Sequence, residues 1–161
     1  MFREMRRKKQ LLTKEESIEI LNRCTSGVLG VNGDDGYPYT VPLSHVYENG
    51  KLFFHCATEG HKLDSIKKND KVSFTIIEKD EIVQEEFTSY FRSVSIFGRA
   101  RILTDDNEKE HALELIMNKY SPDFAKERLK QLKDDAKRTC LVEVQIEHMT
   151  GKAAKEIINE G

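Results

Sequence analysis

Cysteine is scarce in this sequence and scattered: there are three, Cys24, Cys56 and Cys140, never in a Cys-x-x-Cys pair. An odd, dispersed set argues against a disulfide framework and against a structural zinc site. Long apolar runs are lacking as well. No stretch approaches about 18 apolar residues and the N-terminus carries no apolar signal core, so the expectation is a reduced, cytoplasmic protein with no membrane partner. Charge of one sign is also missing. The formal net charge of −2 leaves no general attraction to nucleic acid. Basic residues do gather in "MFREMRRKKQ", but the acidic run after Thr13 offsets them. Such an arm can hold a phosphate, dock on a neighbouring subunit or stay solvated. No repeat, linker or low-complexity block interrupts the chain. Its 161 residues therefore read as one domain, 1–161, around a single core.

What is present is turn chemistry and alternation. Thr13 and Glu16 form a capping-box pattern that predicts a helix over Lys14–Cys24. "SGVLGVN" is a short apolar run closed by the turn "GDDGY". "YPYTVPLSHVY" then alternates, with Tyr37, Tyr39, Val41, Leu43, His45 and Tyr47 on one side. "ENG" turns the chain into "KLFFHCA", and two strand patterns joined by Asn-Gly indicate a hairpin. "KVSFTII" is a further strand. "RSVSIFGRARI" alternates with Val94, Ile96, Gly98, Ala100 and Ile102 on one face. "DDNEKEHALELIMNKYS" places Ala112, Leu113, Ile116 and Met117 at helical spacing, Pro122 opens another helix, and "TCLVEVQIEHM" is a last strand. About six strands and three or four helices, joined mostly by tight turns, predict a mainly antiparallel β fold with helices, closed into a barrel.

Chemistry concentrates in "FFHCATEGHKLDSI", residues 53–66. His55, Cys56, Glu59 and His61 are metal-ligand types, but strand neighbours point to opposite faces and the spacing matches no ligand pattern. The same alternation separates His55 from Cys56 as a thiol–imidazole pair, and no Gly-x-Ser-x-Gly elbow is present. Glu108-x-x-His111 has the spacing of half a di-iron motif, but a single copy on an acidic helix is a solvated face. An anion site uses more of the features. A strand ends at Ala57, Gly60 punctuates a polar loop, and Lys62 opens a helix whose apolar face is Leu63 and Ile66. The unpaired N–H groups of a helix start, with Lys62 and His61 beside them, suit a phosphate monoester, while a plain surface lysine is the alternative reading. Proline is rare, yet two of the three prolines, Pro38 and Pro42, fall inside one strand pattern. Proline cannot donate to a ladder, so this strand leaves a flank open, either for a flat hydrogen-bonding ligand or simply as a blunted edge.

Together, "DGYPYTVPLSHVYENGKLFFHCATEGHKLDSIKKNDKVSF", "YFRSVSIFGRARIL", "VEVQIEHMTGK" and the opening "MRRKKQLLTKEESIEIL" resemble the pyridoxamine 5′-phosphate oxidase-like flavoproteins, closest to their nitroimidazole-resistance branch. The resemblance implies a six-stranded split β-barrel, a homodimer, and FMN in a cleft at the subunit interface. It implies that Thr40, Val41, Pro42 and Leu43 line the flavin ring by their backbone. His55, Cys56 and Ala57 would follow the ring and ribityl chain, Lys62 would meet the phosphate with His61 beside it, and Ser93 would face the flavin. Cys56 stands where branch members often carry Ser, and His61 where the parent oxidases carry Arg. Substrate-binding residues of those oxidases have no counterpart here, so pyridoxamine phosphate oxidation is not expected. The implied activity is FMN-dependent reduction of a small acceptor such as a nitroimidazole by NADH or NADPH, with His55 as proton donor. The alternative is a flavin- or haem-binding module without turnover.

Overall fold

In the computed structural model, which describes residues 1–128 and 131–160, the first helix starts where Thr13 and Glu16 place it. Helix α1 spans Lys14–Arg23; Glu16 N–H donates to Thr13 Oγ1 at 3.1 Å and Thr13 N–H donates to the Glu16 carboxylate at 2.6 Å. Strands β1 (Ser26–Asn32), β2 (Pro38–Ser44), β3 (Val46–Glu48) and β4 (Lys51–Cys56) follow, then α2 (His61–Lys68). Two long strands, β5 (Lys71–Val83) and β6 (Thr88–Ile102), precede α3 (Asp106–Tyr120), the short α4 (Ala125–Arg128), α5 (Leu132–Arg138) and β7 (Cys140–Ala153). Among the described residues, no helix is long and apolar enough to cross a membrane.

The strands form one antiparallel sheet in the order β2-β1-β5-β6-β7-β4-β3. Its two edge strands, β2 and β3, are consecutive in the chain and separated by one residue, His45. At about 4.8 Å per strand, a flat sheet would hold those edges roughly 30 Å apart. The sheet must therefore curl until its edges meet, which makes a split barrel. Seven strands replace the expected six because "YPYTVPLSHVY" is not one strand. At His45 the chain leaves the ladder: its N–H donates to the Tyr120 hydroxyl at 2.9 Å and its buried ring Nε2 lies 2.9 Å from the Leu21 carbonyl. The Asn-Gly turn forms as expected, with Asn49 and Gly50 at φ 48° and 81°, but it joins only the short β3 to β4.

Alternation decides what fills the barrel. Leu29, Phe54, Phe74, Ile76, Val94, Ile96, Val142 and Val144 meet inside it, joined by Ile20 and Leu21 of α1 and Leu63 and Ile66 of α2. Truncating a ring as deeply buried as Phe54 to Ala costs about 3–5 kcal/mol. A second cluster lies on the other face of β4 and β7, where Phe53 and Leu141 pack with Ala112, Leu113 and Ile116 of α3. The start of β7 is therefore buried on both faces, which explains its apolar run Leu141-Val142. Buried within that start, Glu143 is held by Lys51 Nζ and Arg101, each at 3.1 Å. The β6–β7 register slips at Phe97/Gly98, where a Cβ on Gly98 would stand 2.4 Å from the Gln145 carbonyl. Only glycine passes there without a shift.

Candidate functional site

The site grows from the junction of β4 and α2. β4 delivers His55 and Cys56 to the sheet's margin with opposite orientations: His55 is exposed, while Cys56 is half-buried against the main core. Ala57 begins an exposed loop that ends at Gly60, whose φ of 142° and ψ of 168° are essentially open only to glycine. Gly60 caps α2 without a side chain. Its carbonyl takes the N–H groups of Leu63 and Asp64, each at 3.1 Å. The N–H groups of His61 and Lys62 have no partner among the described residues, so the positive end of the helix stays open. Lys62 is half-buried beside it, and its ammonium acts on the Cys56 thiol. Burial, then the neighbouring Cys140 thiol, push that thiol up to about 11 against the pull of Lys62.

The opposite wall is β2. Among the described residues β2 pairs with β1 alone, and it approaches β4 across the split. Gly33 N–H donates to the Tyr37 carbonyl at 2.9 Å, so odd-numbered residues of this segment point their backbone groups at β1. By parity Pro38, Thr40 and Pro42 point theirs at the open flank, where the missing proline donors cost the ladder nothing. Over these three residues the flank offers three carbonyls and one N–H, that of Thr40. The side chains of Val41 and Leu43 turn back onto the core, and Thr40 and Pro42 face solvent. β2 and α2 meet directly, since the Tyr39 ring stacks on His61 at 4.2 Å between centroids. His61 Nε2 also lies 3.6 Å from Asp34, which pairs with Lys68 at 3.2 Å.

The structure brings β2 alongside β4, the Tyr39 ring onto His61 and Lys62 near Cys56, with His61 aimed at Tyr39 and Asp34. Ser93 is not among them. It pairs with Lys152 at the far end of β7 from Cys140, the residue opposite Cys56. The basic arm runs elsewhere as well: Leu11 bridges to Lys152 and the Phe2 ring stacks on Phe97 and His148 at 5.5 and 4.9 Å. Glu108 and His111 pair outward with Arg101 and Glu48, as a solvated face does. Sequence reasoning missed Tyr39 and Asp34 as neighbours of His61 and Cys140 as the neighbour of Cys56. Tyr39 was visible in the alternation of β2, whereas nothing local marks Cys140.

Comparison with known proteins points in one direction. A family model described as pyridoxamine 5′-phosphate oxidase matches residues 13–153. A solved protein from Bacteroides thetaiotaomicron, described as a candidate 5-nitroimidazole antibiotic resistance protein, is 26% identical with a TM-score of 0.75, covering 89% of this chain and 86% of that one. An FAD-binding protein from Mesorhizobium loti is also 26% identical, with a TM-score of 0.60, covering 90% of this chain and 97% of that one. An FAD- and haem-binding protein from Mycobacterium smegmatis shares the fold at 18% identity and a TM-score of 0.74, over 96% of this chain and 80% of its own. Among curated proteins, none matches the sequence.

Proposed function

Because the chain belongs to the pyridoxamine 5′-phosphate oxidase family, we propose that it binds FMN and acts as an oxidoreductase on a small acceptor such as a nitroimidazole, with NADH or NADPH as donor. The observation that carries this reading is the open start of α2. Among the described residues, two unpaired N–H groups, a glycine cap with no side chain and a half-buried lysine lie close to a strand flank that is itself unpaired, with Tyr39 of that strand stacked on His61. These donors fit a phosphate at one end and a flat, hydrogen-bonding ring at the other.

In this reading Lys62 and the His61 and Lys62 N–H groups hold the phosphate. The Thr40 N–H and the carbonyls of Pro38, Thr40 and Pro42 meet the ring edge, and Cys56 and Ala57 flank the chain between. Bound there, FMN supplies two-electron redox chemistry between donor and acceptor. The protein's own part is to orient the ring and supply a proton. His55, exposed on β4 beside Cys56, is the group assigned that proton. The reading is completed by a homodimer, because Ser93 reaches the cleft only if a second copy contributes it.

The visible spectrum of the purified protein tests this directly. Oxidised-flavin bands that bleach with NADH or NADPH and return with a nitroimidazole are the expected result. A Soret band without flavin, or a colourless protein that ignores added FMN, would overturn it.

A further inference from the structure

We propose that Cys56 and Cys140 are a redox-modification site, forming a reversible disulfide across β4 and β7 that does not depend on flavin binding. The two residues are far apart in sequence and directly opposite in register, Cys56 at the end of β4 and Cys140 at the start of β7. Their pairing type follows from the other end of the same ladder. Ile146 N–H donates to the Gly50 carbonyl at 3.0 Å, and the register then runs without a slip from Lys51↔Gln145 to Cys56↔Cys140. Cys56 and Cys140 have the same parity as Gly50 and Ile146, so they occupy a hydrogen-bonded position. Opposed Cα atoms at such positions are about 5.5 Å apart, within the range where disulfides are commonest.

The side chains are placed as the bond requires. Both lie on the inward face of their strands and pack against the main core, so they are lateral neighbours on one face. Both are free thiols and half-buried, open to a small oxidant but shielded from a bulky one. Cys24, the third thiol, has no cysteine across from it. It caps the far end of α1, where Lys119 binds its carbonyl.

The chemistry balances with a hydroperoxide as the two-electron oxidant. Either thiol can attack first with the same balance; here Cys140 does. The Cys140 sulfur bonds to one peroxide oxygen as the O–O bond breaks, and the other oxygen takes the Cys140 thiol proton and leaves as water. The Cys56 sulfur then displaces hydroxide from Cys140: the S–S bond forms, the S–O bond breaks, and the Cys56 proton leaves with the hydroxide as a second water. Two thiols are oxidised by two electrons in total, and hydrogen peroxide is reduced to two waters. The bond ties β7 to the strand end that carries the α2 cleft.

The test uses the full chain, reduced, exposed to hydrogen peroxide, blocked with iodoacetamide and digested without reductant. Mass spectrometry should find one peptide pair joining Cys56 to Cys140, two hydrogens lighter than the separate peptides. That pair should disappear with dithiothreitol and never form in the Cys140→Ser variant. The free-thiol count should fall from three to one and recover on reduction. Cys56 and Cys140 both recovered alkylated after oxidation, or oxidised separately with no joined peptide, would overturn the proposal. Neither result bears on whether FMN binds.

Discussion

Helices α1 and α2 begin in opposite ways. α1 is closed by its own chain, with Thr13 and Glu16 exchanging hydrogen bonds across its first turn. Its other end is closed too: Lys119 Nζ donates to the Leu21 and Cys24 carbonyls at 3.1 and 2.6 Å, and His45 binds Leu21 from a second side. α2 starts on a glycine with no side chain and, among the described residues, keeps two N–H groups free. Both helices bury apolar faces in the same core, so packing does not distinguish them. What differs is whether the polar ends are satisfied within the fold. A helix end closed by side chains has no donors left for a ligand, whereas an open one has them available to water or to an anion.

The largest effect expected from this contrast is at the closed helix. His45 is fully buried and its Nδ1 has no partner among the described residues; burial and then the Lys119 charge lower its pKa from 6.5 to about 4, against the bond to Leu21. The folded protein therefore keeps this ring neutral while the unfolded chain takes up a proton below pH 6.5. Stability from this group is complete above that pH and is lost as pH falls towards 4, by about 3 kcal/mol in all. Denaturant midpoints from pH 7.5 to 4.5 should show this slope in the wild type and lose it in His45→Gln. Equal slopes in the two proteins would mean that the closed end of α1 is not what titrates.

At the open helix the next effect is on ligand, not on fold. Lys62→Ala should weaken FMN binding about ten- to a hundredfold, since a charged hydrogen bond is worth about 1.5–3 kcal/mol, with little change in melting temperature. Fluorescence titration of the apoprotein measures it, and unchanged affinity would remove α2 as the phosphate site. The smallest effect returns to α1. Thr13→Ala should cost about 1 kcal/mol of stability and leave FMN affinity alone. If the urea midpoint holds while flavin binding drops, the division between the two helices is wrong.

Much of this was readable from local chemistry. The Thr13–Glu16 pair marks α1, Asn49-Gly50 marks a turn, and the prolines mark β2 as a strand with an open flank, because caps, turns and missing donors act within a few residues. Of the candidate site, the open start of α2 was legible in the same way, through Gly60 and Lys62. The break at His45 was not, since its cause is Tyr120 and Leu21, elements distant in sequence. Ser93 carried no positional signal at all, because strand order sets its distance from Lys62.

What the sequence determined by itself is therefore the set of elements and the chemistry held at their ends. What the tertiary structure alone decided is adjacency. The curl that follows from one residue joining two edge strands brings Tyr39 onto His61, and the β4–β7 register sets Cys56 against Cys140. The physical reason is that propensity and capping are short-ranged, whereas strand pairing is settled by which buried faces fit together across the whole core.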